Sequence, residues 1–160
     1  GRDLTEAARW YLQAAQQDSA EAQYNLGVLY YEGKGVSKDL KAAVHWYRKA
    51  AEKGDADSQF NLGYCLYHGE GADKDHAAAA ILYRKAAEQG HAGAQCNLAH
   101  CYDNGDGVAT DHTAALDWYR KAADQGHAIA QLNLGYCFDE QQRPGQDPAA
   151  AAQWYRKAAD

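Results

Sequence analysis

The stretch NLGVLYYEGKGVSKDLKAAVHWYRKAAEKG, residues 25–54, decides the fold. Its apolar residues first recur at helical spacing, with Leu26, Leu29 and Tyr30 on one face. Gly33 and Gly35 then interrupt the pattern, because glycine readily adopts the positive φ that ends a helix. The first part of the stretch therefore predicts one helix followed by a short loop.

A second helix is expected after this loop. Asp39 is placed to cap its N-terminus. Ala43, Tyr47 and Ala50 share one face, and Gly54 stands where a glycine commonly ends a helix. The stretch as a whole predicts a helix pair, which we call helix A and helix B.

The same pattern recurs every 36 residues. Asn-Leu begins at positions 25, 61, 97 and 133, and Tyr-Arg-Lys-Ala-Ala begins at 47, 83, 119 and 155. Residues 1–19 match helix B alone, since Trp10 and Tyr11 precede Trp46 and Tyr47 by one period. We therefore divide the chain into a half repeat, 1–19, and four repeats, 20–55, 56–91, 92–127 and 128–160, the last of them truncated.

Composition and charge exclude several classes of protein. The chain has 160 residues and is 46% hydrophobic, but much of that fraction is alanine and few residues are β-branched, so a β-sheet protein is excluded. The net charge is −6, without the basic patch that typifies nucleic-acid binding. No apolar run approaches the roughly 20 residues of a membrane span, so we expect no membrane insertion of this segment.

The repeats predict an all-α solenoid. One 36-residue unit cannot bury its apolar face alone, whereas stacked units bury a continuous core. Small residues at one repeat position are expected to let helices A and B approach closely: Gly27, Gly63, Ala99 and Gly135. An ordinary helical bundle is the alternative, but a bundle has no reason to repeat a Gly-x-Gly loop at a fixed period.

The motifs of the first repeat resemble a known family. Leu26-Gly27-x-x-Tyr30-x-x-Gly33-x-Gly35, followed by Ala42-Ala43-x-x-Trp46-Tyr47-x-Lys49-Ala50-Ala51-x-x-Gly54, is similar to the Sel1-like repeat, a relative of the tetratricopeptide repeat with a longer loop. The resemblance covers the whole chain. It implies a right-handed superhelix of antiparallel helix pairs and a role as scaffold or adaptor in protein complexes.

The chain departs from this pattern at three places. Leu66 replaces the tyrosine near the loop, and Leu82 replaces the tryptophan of helix B. Residues 139–148 keep the length of the fourth loop but lose its repeated glycine pair, so we expect a differently shaped loop there. Pro148 after Asp147 is a favourable helix start.

In the tetratricopeptide class the ligand groove is lined by one face of the A helices. Carrying that over, the expected partner-binding residues on the concave face are Tyr24, Val28, Tyr31, Phe60, Tyr64, Tyr67, His68, His100, Asp103, Tyr136 and Asp139. The first two repeats would present exposed aromatic anchors and the last two would present acids, including Glu140. Cys96 falls on the same face, and Tyr24 and Phe60 are open to a second interpretation, partial packing against the neighbouring helix.

Other polar residues favour structural roles. The repeated Asn25, Asn61, Asn97 and Asn133 are expected to bond backbone between repeats. Equivalent cysteines lie too far apart for disulfides, so Cys65, Cys96, Cys101 and Cys137 are expected to be free, which favours a reducing compartment. Cys96 and His100 have metal-ligand spacing but too few companions, and no catalytic motif is present. We expect no metal and no cofactor.

The sequence thus predicts a non-enzymatic scaffold that binds a protein or peptide partner, neutral or basic in charge, in the A-helix groove. Two alternatives stay open: a structural or designed repeat module without a native ligand, and a small-molecule-binding or hydrolytic protein. An uncapped solenoid also predicts end-to-end self-association. The residues expected to be more exposed at their outer side than Trp46 and Trp118 are Trp10, Tyr11, Trp154 and Tyr155.

Overall fold

The computed structural model describes residues 2–139 and 147–159, and these are entirely helical with connecting loops. The half repeat contributes one helix and each full repeat contributes two. The helices are α1 (Arg2–Gln16), α2 (Ala20–Glu32), α3 (Leu40–Glu52), α4 (Ala56–His68), α5 (His76–Glu88), α6 (Ala92–Asn104), α7 (His112–Asp124), α8 (Ala128–Asp139) and α9 (Pro148–Ala159).

The chain divides into two compact units. Unit 1 is Gly1–Ala86 and unit 2 is Ala87–Asp160. In unit 1, α2 packs against α1 and α3, and α3 packs against α4. In unit 2, α7 packs against α6 and α8, and α8 packs against α9. Each unit therefore builds its own core from neighbouring helices of the chain.

Helices A and B meet through a glycine and a tyrosine ring. A methyl group placed on Gly27 would lie 2.7 Å from the ring of Tyr47, and one on Gly63 would lie 2.9 Å from Tyr83. Tyr47 and Tyr83 are almost fully buried by this contact. The expectation that small residues allow close approach is confirmed at these two positions.

The loop between the two helices is built the same way in successive repeats. Gly33 ends α2 in the left-handed region at φ 71°, and its N–H donates to the Leu29 carbonyl. The Asp39 N–H then donates to the Tyr30 carbonyl across 2.9 Å, and the Asp39 side chain caps α3 as expected. In the fourth repeat the Asp147 N–H makes the matching bond to Phe138. The expected change of loop shape concerns residues 140–146, which lie outside the described residues.

A repeated glutamine joins successive repeats, and the sequence interpretation missed it. Its buried amide donates to the last turn of the preceding B helix, over 3.1 to 3.2 Å: Gln23 to Ala15, Gln59 to Ala51, Gln95 to Ala87 and Gln131 to Ala123. These bonds satisfy carbonyl groups that a helix C-terminus leaves without intrahelical partners. The signal was available, since the four glutamines lie 36 residues apart.

The role expected for the repeated asparagines is corrected. The Asn25 amide donates to the Glu21 carbonyl of its own helix, not to a neighbouring repeat. Asn61 does reach another repeat, but it bonds the side chain of Tyr24 and not the backbone. The backbone bond between repeats is made instead by the glutamine two positions earlier in the helix.

The N-caps of the A helices use different residues at one repeat position. Ser19 and Asp55 accept N–H groups of the first turn through side-chain oxygen. His91 and His127 occupy the same position in unit 2 and accept through Nδ1, at 3.0 and 3.2 Å. Such a cap requires a neutral imidazole, because a protonated Nδ1 has no lone pair to accept the bond.

We predict that Gly63→Ile lowers the free energy of unfolding by about 1–3 kcal/mol, because the added side chain would displace the buried ring of Tyr83. Gly63→Ala should be milder, since the third repeat already carries Ala99 at this position. The measurement is urea unfolding followed by circular dichroism. The control is Ala77→Ile, at an exposed position of α5. Equal stability of Gly63→Ile and the parent chain would contradict the packing role of the glycine.

A second prediction concerns pH. Burial lowers the pKa of His127, with a smaller contribution from the nearby His91. The unfolded chain therefore takes up the proton first, so the stability contributed by this cap is present above about pH 6.5 and is lost as the pH falls through the lowered pKa. We expect His127→Asp, which copies Asp55, to gain stability over the parent chain as the pH falls from about 7 to 5, by up to about 1 kcal/mol, the usual contribution of a cap. A difference that is constant with pH would contradict this role.

Candidate protein-binding face

The aromatic residues of α2 and α4 form a common face in unit 1. We call this the aromatic face and define it by Tyr24, Val28, Tyr31, Phe60, Tyr64, Tyr67 and His68. Within it lies a shallow cavity of about 220 Å³, lined by Tyr31, Tyr47, Phe60, Asn61 and Tyr64. Three of the expected site residues, Tyr31, Phe60 and Tyr64, are thus brought together around one concavity.

Tyr31 is held in place at the edge of this cavity. Its hydroxyl donates to Glu70 Oε2 across 2.7 Å, and the Lys38 ammonium lies 5.7 Å from the ring centre. The hydrogen bond to Glu70 and burial both raise the pKa of Tyr31. The ring is therefore neutral and oriented before any partner arrives.

Tyr24 and Phe60 serve partly as packing residues. The ring of Tyr24 lies 6.4 Å from that of Tyr47, and its hydroxyl bonds the side chain of Asn61. The ring of Phe60 lies 6.1 Å from that of Tyr83. Both are half-buried, which confirms the packing interpretation that the sequence left open. Val28 is half-buried too, against the core that α3 and α4 share.

Tyr64 and Tyr67 are less exposed than expected, and this is a correction. Both are half-buried, because a chain of ring contacts holds them. The Tyr64 ring lies 4.2 Å from His68, and Tyr67 stacks on His76 at 4.5 Å with an interplanar angle of 11°. His68, by contrast, is exposed. The rings of the aromatic face therefore pack on neighbouring side chains and do not stand out singly into solvent.

The corresponding positions of unit 2 carry different chemistry. His100 is exposed on α6, whereas Asp103 is half-buried and accepts a bond from His112 Nδ1 at 2.8 Å. Asp103 is therefore a less available charge than the sequence suggested. On α8, Tyr136 is 53% exposed and its ring meets Tyr155 edge-on, close to the exposed Asp139. Glu140 lies outside the described residues.

Exposed apolar residues accompany Tyr136 on α8. Ile129 is 62% exposed and Leu132 is 39% exposed, at spacings that place them on the same side of the helix as Tyr136. Unit 2 thus offers an apolar stripe of its own, which the sequence contained at repeat-equivalent positions.

The cysteines have no part in either face. All four are free and buried, so the expectation of free thiols is confirmed and the placement of Cys96 on the binding face is wrong. Cys96 is 4% exposed and packs in the core of unit 2 with Tyr119 and Leu134. Burial raises the pKa of Cys65 to about 12 and that of Cys96 to about 11, which leaves both thiols unreactive near neutral pH.

Metal and membrane sites find no support in the described part of the chain. Among residues 2–139 and 147–159, no three His, Cys, Asp or Glu side chains come together as a metal site would require. In the same residues, no helix has both the length and the apolar content to cross a bilayer.

Comparisons with known proteins identify similar families and structures. The family model for the Sel1 repeat matches residues 1–19, 20–55, 56–91, 92–127 and 128–160. The crystal structure of a Sel1 repeat protein from Oxalobacter formigenes is similar over 97% of this chain and 62% of its own, with 40% identity and a TM-score of 0.91. A protective antigen of uropathogenic Escherichia coli, c5321, displays the same repeat fold and is similar over 98% of this chain and 33% of its own, with 38% identity and a TM-score of 0.90.

The chain spans less than two thirds of the length of both relatives. A comparison with curated proteins gave no match. The helical repeats, their loops and these structures agree on an all-α solenoid-like fold. The chain belongs to the Sel1 repeat family, whose members generally act as non-enzymatic scaffolds for protein–protein interactions.

Proposed function

We propose that this chain is an interaction scaffold that binds a segment of a partner protein on the A-helix side, with the aromatic face of unit 1 as the main docking surface. The observation that carries the proposal is the cavity of about 220 Å³ between Tyr31, Phe60 and Tyr64. Aromatic walls with polar hydroxyl groups are the commonest anchors of protein interfaces.

The contacts that hold the side chains of the aromatic face favour binding. Immobilising a mobile side chain at an interface costs about 0.5–1.5 kcal/mol. Tyr31 is already held by Glu70, and Tyr64 by its contact with His68. The binding of a partner segment would therefore lose little further side-chain entropy at these two residues.

The charges around the aromatic face select the partner. Glu70 bonds Tyr31 and Asp57 lies near Tyr24, while Lys38 is the basic residue at the Tyr31 ring, so the Tyr24 end of the face is the more acidic. A segment that combines an apolar side chain for the cavity with a basic residue beside it fits this surface best. An extended segment or a short helix satisfies this requirement equally.

Unit 2 contributes a second and separate contact surface. Tyr136 and the exposed Ile129 and Leu132 of α8 provide apolar area, and Asp139 supplies a negative charge. His100 adds an exposed imidazole on α6. Exposed apolar area of this kind marks interaction sites on soluble proteins.

We predict that Tyr64→Ala weakens the binding of a partner peptide by about 2 kcal/mol, the loss typical of an interface anchor. The peptide is selected from a random phage-displayed library on the whole chain. The readout is fluorescence polarisation of the labelled peptide, with circular dichroism to verify that the variant is folded. Tyr64 suits this test better than Tyr67, whose ring is stacked on His76.

The matched control is Arg84→Glu, at an exposed position of the B helix α5. It should leave peptide binding unchanged. Loss of binding in Arg84→Glu together with normal binding in Tyr64→Ala would move the interface to the B helices. A selection that yields no binding peptide at all would favour the alternative of a structural module without a ligand.

A further inference from the structure

Two of the departures from the repeat pattern, Leu66 and Leu82, lie close to a further unusual residue, Ile81, in unit 1. A surface depression of about 270 Å³ lies between α3, α4 and α5, on the side of the B helices. Its lining includes Leu66, Leu82 and Ile81. These positions carry an aromatic, a tryptophan and a polar residue, respectively, in the other full repeats.

The first repeat shows what normally occupies this place. There Tyr30 and Trp46, the equivalents of Leu66 and Leu82, pack together against Ala15 and Leu26. In the fourth repeat, Phe138 and Trp154 pack in the same way against the core of unit 2. The depression of the second repeat is therefore the space that two aromatic rings fill elsewhere in the chain.

A lysine at the rim of the depression is equivalent to the lysines that contact tryptophan in other repeats. Lys49 lies 5.4 Å from the ring centre of Trp46, and Lys157 lies 4.0 Å from that of Trp154. Lys85 is the residue equivalent to both and lines the depression. An aromatic ring that entered would meet a lysine ammonium in the position where a cation–π contact forms in the other repeats.

One position at the edge of the depression is apolar here and polar in the other repeats. Ile81 is 58% exposed at its edge, whereas His45, Asp117 and Gln153 stand at the equivalent positions. A large exposed aliphatic side chain beside a depression that has a leucine floor and charged residues in its lining is characteristic of an interaction site.

We propose that this depression is a further docking site that takes one tryptophan side chain of a partner protein. It lies on the opposite side of α4 from the aromatic face. The site has room for an aromatic ring, since an apolar cavity of about 150 Å³ already holds benzene in another protein. Leu62, Leu66 and Leu82 would contact such a ring, and the charged Arg48, Glu52 and Lys85 also line the depression. The proposal stands independently of the aromatic face.

The test uses the whole chain and a short peptide as probe, acetyl-Gly-Gly-Trp-Gly-Gly-amide. Binding is followed by amide chemical shifts in 15N-labelled protein. We expect shifts concentrated at residues 62–66 and 81–85 and a dissociation constant on the order of 1 mM, as suits a single anchor side chain. The same peptide with leucine in place of tryptophan should bind several-fold more weakly. Equal binding of the two peptides would overturn the aromatic assignment.

The decisive variant is Leu82→Trp, which restores the tryptophan of the other repeats and fills the depression from within. It should raise the dissociation constant by about tenfold or more, because the space is no longer available. The double variant Leu66→Tyr, Leu82→Trp copies the first repeat and provides a second filled form. Gln13→Trp, which adds a tryptophan at an exposed position of α1, is the matched control and should bind as the parent chain does. Unchanged binding in both filled forms would refute the site.

Two further measurements identify the contact and the occupant. Lys85→Met should weaken binding of the tryptophan peptide about threefold, in line with a cation–π contact at a surface, and should leave the leucine peptide unaffected. An equal effect on both peptides would show that the lysine does not contact the ring.

Trp10 is 64% exposed and is the tryptophan that a second copy of the chain would supply. Concentration-dependent shifts at residues 81–85 without peptide, abolished by Trp10→Ala, would replace the separate partner by self-association.

Discussion

The contact between a glycine of helix A and a tyrosine ring of helix B sets the distance between the two helices of a repeat. At Gly27 and Gly63 the backbone of one helix lies against the ring of the next, with no room for a side chain. The ring is thereby fixed in position, and its other edge is free to shape the surface. Tyr47 is an example of a ring with both roles, because it packs on Gly27 and also lines the cavity of the aromatic face.

Helix ends provide the second constraint. The buried glutamine of each A helix bonds the last turn of the B helix before it, so the register between successive repeats is defined by a hydrogen bond as well as by packing. A buried carbonyl group without a hydrogen-bond partner lowers the stability of the fold. Loss of one of these bonds is therefore expected to destabilise the chain by more than the small net gain of an ordinary hydrogen bond. With the core specified in this way, exposed positions are free to differ among repeats, as His45, Ile81 and Asp117 do.

Much of the fold could be predicted from the sequence, because a helix pair is a local structure with local signals. Asp39 and Gly33 mark helix ends by their own chemistry, and both act as expected. The burial of Tyr67 could not be predicted in the same way, because it depends on a stacked contact with His76 across the loop. Periodicity likewise placed Cys96 on the binding face, although the structure packs it in the core. A repeat position identifies a side of a helix, but neighbouring helices decide how deeply that side is covered.

The central claim is that a partner segment lies on the aromatic face of α2 and α4. The most direct measurement is the solution structure of the chain with a selected peptide, determined from distance restraints between the peptide and the protein rings. We expect the peptide to contact Tyr31, Phe60 and Tyr64, with its apolar anchor in the cavity that they line. Contacts confined to the exposed sides of α3 and α5, with the rings of α2 and α4 unaffected, would contradict the account.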